Sequence, residues 1–157
     1  MKRRTHMKSN HRINLSMIDS EYSLHDCKID HISIDNNAVQ FQFSTGIIDC
    51  KLSQSSEELT RTDKVTVTFS PCLSSDFNCY IYRRFHLGRR VITAVEDITI
   101  EQLIKKLKKG MYIDIIDEFY AYQQVYWRGE CYPSRTFCTE LVITANGIEN
   151  MDISWET

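Results

Sequence analysis

Four groups of side chains in this sequence have the types that chemistry needs. The first is Leu24-His25-Asp26-Cys27, where a base, an acid and a thiol stand in a row. Such groups serve nucleophilic or acid–base catalysis when they converge on one reacting atom. Neighbours on an extended strand point to opposite faces, so His25 and Asp26 meet only if a turn brings them together. The alternative makes Asp26 a turn cap or an arginine partner and leaves His25 at the boundary with solvent. The second group is basic: Arg83, Arg84, His86, Arg89 and Arg90 surround Gly88. Guanidinium forks match phosphate and carboxylate groups. Charges beside a turn also guard sheet edges against aggregation, and that is the preferred reading.

The third group sets Asp114, Asp117 and Glu118 beside Tyr120, Tyr122, Tyr126 and Trp127. Paired carboxylates can serve hydrolysis or a divalent metal, but the calcium-loop pattern is absent. Acids among Tyr and Trp also suit a face for a basic protein, because these aromatics are enriched at interfaces. A strand with aromatic core residues and a solvated acidic edge explains them too. The fourth group is the cysteines: Cys27, Cys50, Cys72, Cys79, Cys131 and Cys138. The pairs Cys72/Cys79 and Cys131/Cys138 are spaced too widely for a zinc knuckle, so no metal or cofactor is expected. Without an export signal they read as reduced thiols packed like small apolar side chains. No G-x-G-x-x-G, P-loop, H-E-x-x-H or G-x-S-x-G pattern occurs, which favours a role without catalysis.

The frame for these groups is one globular domain. A chain of 157 residues with 42% hydrophobic and 25% charged residues holds a core without staples. No apolar run reaches the ~20 residues that span a bilayer, so a soluble, cytoplasmic protein is expected. Lys2, Arg3, Arg4, Lys8 and Arg12 make residues 1–12 a basic, flexible arm. The remaining 14 basic and 21 acidic residues give residues 13–157 a net charge of −7. That acidic body disfavours nucleic acid, whose phosphates need positive charge, and suits a basic protein partner.

Alternation predicts most elements. Ile32 and Ile34 close a first strand, Asp35-Asn36-Asn37 turns, and Val39, Phe41 and Phe43 face one side of a second. A third strand is read over residues 47–52, and a polar loop or short helix over residues 53–63. Val65, Val67 and Phe69 mark a strand that Pro71 ends or interrupts with a bulge. Strands flank Gly88 on both sides. Ile100, Leu103, Ile104 and Leu107 form one apolar helical stripe. Thr99 with Gln102 reads as a capping box, and Gly110 as the stop.

From Met111 to Trp127 the chain is β-prone, with parity changes around Ile115-Ile116 and Phe119 that predict a bend or bulge rather than one straight strand. Arg128-Gly129-Glu130 reads as a turn. Asn146-Gly147, between alternating runs, predicts a terminal hairpin. The sum is an α+β fold: a mainly antiparallel sheet, as a meander or partly closed barrel, with one packed amphipathic helix.

The Leu24-His25-Asp26-Cys27 segment, followed by the hairpin from Ile32 to Phe43, resembles small uncharacterised bacterial proteins with a His-Asp start. Some of those are associated with polymorphic-toxin immunity. The helix at Glu101-Gln102-Leu103-Ile104 and the closing Ser154-Trp155-Glu156 fit the same layout. The resemblance implies an intracellular binding protein and no catalytic residues. The leading expectation is therefore a non-enzymatic protein-interaction module, with an immunity-type inhibitor of a basic partner as its specific form. Its competitors are a small enzyme or ligand-binding protein using His25, Asp26 and the arginines, and a structural module of a larger assembly.

Overall fold

Alternation becomes burial most cleanly at Val39, Phe41 and Phe43, which are fully enclosed while Gln40 and Gln42 between them are not. The computed structural model describes residues 8–14, 21–54, 59–134, 136 and 138–156. Its strands are β1 (Lys8–Asn14), β2 (Tyr22–Ser23), β3 (Lys28–Asp35), β4 (Ala38–Phe43), β5 (Ile48–Asp49) and β6 (Val65–Phe69). They continue as β7 (Phe77–Leu87), β8 (Arg90–Ile98), β9 (Tyr112–Ala121), β10 (Gln124–Tyr132), β11 (Cys138–Asn146) and β12 (Asn150–Glu156). The helices are α1 (Cys50–Gln54) and α2 (Ile100–Lys108). No helix among the described residues is long and apolar enough to cross a membrane.

Ten strands form one antiparallel sheet in the order β1-β12-β6-β4-β3-β9-β10-β11-β7-β8; β2 and β5 pair separately. The fold is α+β, mainly antiparallel sheet, as the alternation predicts. The sheet is strongly curled. Phe69 on β6 and Phe77 on β7 have ring centroids 5.6 Å apart although five strands lie between them in the sheet. Its concave face thus wraps a single core, with Trp127 in edge-on contact with Phe41 at 5.1 Å and tilted against Phe69 at 5.4 Å. Such aromatic pairs add about 0.5–1.5 kcal/mol each beyond their buried area. The roll stops short of a barrel, and among the described residues β1 and β8 are the strands at its two edges.

Helix α2 bridges β3 and β7, burying Ile100, Leu103 and Leu107. The Thr99 hydroxyl accepts from the Gln102 amide, and the Gln102 side chain accepts from the Thr99 amide at 2.9 Å. Both halves of the capping box form, and Gly110 follows with φ +94°.

Four local expectations give way to tertiary structure. The strand expected over residues 47–52 ends at Asp49, where α1 begins; the Ser53 hydroxyl bonds the Asp49 carbonyl at 2.6 Å and starts the helical turn. The stretch from Met111 to Trp127 is two strands, β9 and β10, joined at Tyr122-Gln123, where Gln123 takes φ +54°. Arg128-Gly129-Glu130 is mid-strand, not a turn. A Cβ on Gly129 would lie 2.6 Å from the Asp114 carbonyl oxygen, so glycine here serves close backbone approach.

The fourth correction is the terminal hairpin. β11 and β12 do not pair: β11 lies between β10 and β7, and β12 between β1 and β6. Both edges of β11 are already occupied, so the chain must leave. Gly147 supplies φ +76°, Ile148 is fully buried, and its amide bonds the Gln123 carbonyl at 3.2 Å as the chain crosses to the far side.

The basic arm expected over residues 1–12 overlaps β1 from Lys8 onward. Arg12 makes a two-pronged bond to Asp152 at 2.6 and 2.8 Å, so residues 8–12 belong to the sheet. Lys2, Arg3 and Arg4 lie outside the described residues.

Candidate functional site

A bulge in β9 sorts the acidic and aromatic residues onto two faces. Gly129 pairs with Ile115 while Arg128 pairs with Asp117, which leaves Ile116 as the extra residue. One added residue flips side-chain parity. Before it, Ile113 and Ile115 face the core and Asp114 faces out. After it, Glu118 and Tyr120 turn to the concave side, opposite Trp127 and Val125, while Asp117 and Phe119 face out. Asp114, Asp117 and Glu118 therefore do not share a face.

On the concave side these residues form a hydrogen-bond chain. The indole N–H of Trp127 donates to the Tyr120 hydroxyl at 3.1 Å, and that hydroxyl donates to Glu118 Oε2 at 2.8 Å. Glu118 Oε1 accepts from the Ser23 hydroxyl and the Leu24 amide, both at 2.7 Å. Burial, reinforced by Glu118, pushes the Tyr120 phenol well above its ordinary value. It stays a donor at neutral pH, and the chain's role is to join residues 23–24 to the core.

The outer face has a different character. Asp114, Glu130 and Glu140 stand directly opposite one another on β9, β10 and β11, with Lys28 of β3 opposite Asp114 at one end. Like charges placed opposite each other across a strand pair are destabilising. Partial burial, together with Asp26 and Glu130, pushes the Asp114 carboxyl up, and Lys28 offsets this only in part. In the next row Arg128 bonds Asp117 at 2.7 Å and approaches Glu140 at 3.8 Å; Arg84 reaches Glu140 at 3.3 Å.

Aromatic rings flank the carboxylates. Tyr112 stacks on Tyr132 at 5.4 Å, and the Lys28 ammonium sits 3.8 Å from the Tyr112 ring centre. The Tyr132 hydroxyl bonds Glu130. Toward the β9–β10 turn, Phe119 is 62% exposed and Tyr122 72%. Phe119 leans on Tyr126 at 5.8 Å, beside a shallow depression of about 370 Å³ that reaches Thr144 and Asn146.

His25 and Asp26 do meet. Asp26 adopts φ +56°, and the turn brings His25 Nε2 within 3.5 Å of Asp26 Oδ2, both side chains being more than half exposed. The other ring nitrogen donates to the carbonyl of the bulged Ile116, and the Asp26 amide bonds the Ile115 carbonyl at 2.8 Å. The pair thus fastens residues 25–27 to the β9 bulge. Its arginine neighbour is Arg61, whose guanidinium donates to the Asp26 carbonyl at 2.9 Å and to Cys27 Sγ at 3.3 Å. Burial pushes the Cys27 thiol up and outweighs the opposing pull of Arg61. A buried, protonated thiol is a poor nucleophile.

The arginine cluster splits along the β7–β8 hairpin. Arg83 bonds Glu96 at 2.6 Å and Arg84 pairs with Glu140, while Arg89 and Arg90 stand exposed at the turn. Their described contacts do not include His25 or Asp26. All six cysteines are free thiols, four of them buried, and no cluster with metal-ligand composition exists among the described residues.

Glu130, Glu140, Tyr112, Tyr132 and Phe119 were not among the residues singled out from sequence. Each lies on a different strand position from its row partner, so only the pairing register brings them together. The one available signal was alternation within β10, which already puts Arg128, Glu130 and Tyr132 on one side. Compared with family models, curated proteins and solved structures, the chain finds no significant match.

Proposed function

We propose that this chain is a protein-binding module whose outer β9–β10–β11 face docks a basic segment of a partner, in the manner of an immunity-type inhibitor. The observation that carries the reading is the carboxylate row Asp114–Glu130–Glu140, beside the half-buried Tyr112 and Tyr132 and on the same face as the exposed Phe119. A row of like charges weakens an isolated sheet. Arg or Lys from a partner would relieve that repulsion, and Phe119 and Tyr122 offer the apolar anchors on which interface energy concentrates. The −7 net charge of residues 13–157 favours encounter with a basic surface as well.

The test is differential capture from the native host, followed by titration of the purified candidate. Wild-type bait is compared with a charge-reversed D114K/E130K variant. A basic protein retained by wild type alone, and inhibited on binding, supports the reading. Identical retention by both baits, or retention of acidic proteins only, overturns it.

The His25–Asp26 contact favours a second reading, a small-ligand or catalytic site at the β9 bulge. Chemical-shift titration of His25 against small anions checks it. His25 fastens a segment and Cys27 is buried beside it, so the first reading is preferred.

A further inference from the structure

The two edges of the sheet differ in how they are protected. Exposed edges invite pairing with another chain, and proteins blunt them with lysine, proline, bulges or short strands. On β1 the exposed Arg12 is tied to Asp152 of β12. β8 runs for nine residues, Arg90 to Ile98, in unbroken register with β7, and contains no lysine or proline. At its centre lies Val91-Ile92-Thr93-Ala94-Val95, with Val91 53% and Val95 58% exposed on the outer side. Among the described residues β7 pairs with β11 only as far as Arg84, whereas β8 runs alongside β7 to the Leu87–Arg90 turn and pairs with no other strand.

Charge marks the two ends of this strand with opposite sign. Arg90 is exposed and has no ion-pair partner among the described residues. Glu96 and Asp97 close the other end. Glu96 already holds Arg83 at 2.6 Å and Lys106 at 3.6 Å, and Arg83 keeps its carboxyl below the usual range, so it presents a charged group.

We propose that β8 is a self-pairing edge, joining two copies of this chain in an antiparallel β8–β8 contact centred on Thr93. The register follows from symmetry. A two-fold axis perpendicular to the sheet carries outward-facing residues onto outward-facing ones, so opposed residues must have numbers of the same parity. Centred on Thr93, Val91 faces Val95 of the second copy and Ile92 faces its Ala94, each pair occurring twice. Thr93 faces itself, a favoured cross-strand pair, and Arg90 faces Glu96 at both ends. Centring on Ala94 instead sets Val91 against Asp97 and Ile92 against Glu96. Centring on Ile92 removes Glu96 from Arg90. One register alone matches apolar to apolar and cation to anion.

The contact is small, which places its dissociation constant in the micromolar range (about 1–100 µM). Sedimentation equilibrium of the full chain from about 1 to about 300 µM reads the mass directly. Wild type is expected to pass from monomer to dimer over that range. Arg90→Glu, which sets acid against acid, is expected to weaken the dimer at least tenfold, and Val95→Lys to abolish it. Both positions are exposed, so circular dichroism confirms that the variants fold. Under mild oxidation Thr93→Cys is expected to give a dimer whose cross-linked peptide joins residue 93 to residue 93. A monomer at the highest concentration overturns the proposal. So does a dimer that neither charge nor lysine substitution weakens, or one cross-linked only through other thiols.

Discussion

The indole N–H of Trp127 and the hydroxyl of Tyr120 meet at 3.1 Å diagonally across β9 and β10, inside the concave face. Trp127 is the largest fully buried side chain, and Tyr120 lets its one polar atom be enclosed with a partner. Tyr120 faces inward only because the bulge at Ile116 reverses the parity of β9. One extra residue therefore decides whether the core tryptophan is satisfied.

Replacing Tyr120 with Phe leaves the Trp127 donor enclosed without its acceptor. An orphaned buried donor costs about 1–3 kcal/mol, so Tyr120→Phe is expected to lower unfolding stability by that amount. Glu118→Ala removes the acceptor of three donors at once and should cost more. Urea titration followed by the combined fluorescence of Trp127 and Trp155 measures both. A loss under about 0.5 kcal/mol for Tyr120→Phe would show the network to be incidental.

Alkaline pH should unfold the protein progressively. Burial pushes the Cys79 and Cys131 thiols up to about 12, and Tyr120 is also raised. The unfolded chain releases these protons near ordinary values of about 8.5 for thiols and 10 for tyrosine. Above those values the native state binds more protons, so stability falls by about 1.4 kcal/mol per pH unit for each group. For the two thiols the loss runs from the ordinary thiol value to about 12. Cys79→Ala with Cys131→Ala should flatten the slope of stability against pH between 9 and 11 in chemical denaturation. An unchanged slope would mean these thiols ionise in the folded state.

Two glycines should respond to alanine for different reasons. At Gly129 a Cβ would strike the Asp114 carbonyl oxygen at 2.6 Å, which the bulge holds in place. Gly129→Ala is expected to cost about 2–4 kcal/mol through backbone displacement. Gly147 has open space around it but takes φ +76°. There the left-handed conformation alone sets a cost of about 1 kcal/mol. Thermal melts of both variants separate the two causes, and equal losses would contradict the close approach at Gly129.

Asp114 offers a test in which stability and binding move in opposite directions. Asp114→Asn removes a like charge opposite Glu130 and is expected to raise stability by about 0.2–1 kcal/mol. Because its carboxyl is pushed up in the native state, wild-type stability should show a contribution that falls as pH rises through that carboxyl's titration, and the variant should lack it. The same substitution should weaken capture of a basic partner about tenfold. Calorimetry on the two proteins, with and without partner, reads both effects. If the variant is less stable, the outer row is a structural feature and the binding reading fails.

Much of the architecture was legible because it is local. Val39, Phe41 and Phe43 declare a face every second residue, and Ile100, Leu103 and Leu107 declare one at helical spacing. The Thr99–Gln102 capping box closes over three residues and formed as its spacing predicts. The parity break at Ile115-Ile116 announced the bulge, whereas the one at Phe119 corresponds to no break in register. Asn146-Gly147 was legible as a turn but not as to what it joins, because hairpin chemistry is local while a free edge on β11 is not.

The sequence by itself determined which faces of β4, β6 and α2 are buried and where those elements lie, since steric and solvation preferences act within a few residues; the turn at Tyr122-Gln123, the strand through Arg128-Gly129-Glu130 and the helix at Cys50–Gln54 came only with the tertiary structure. Only the tertiary structure decided that β12 leaves β11 for β6, that Asp117 and Glu118 part company, and that Asp114, Glu130 and Glu140 line up. Those outcomes depend on register between strands far apart in the chain. A shift of one residue exchanges every face, and nothing within a single strand encodes its partner's phase.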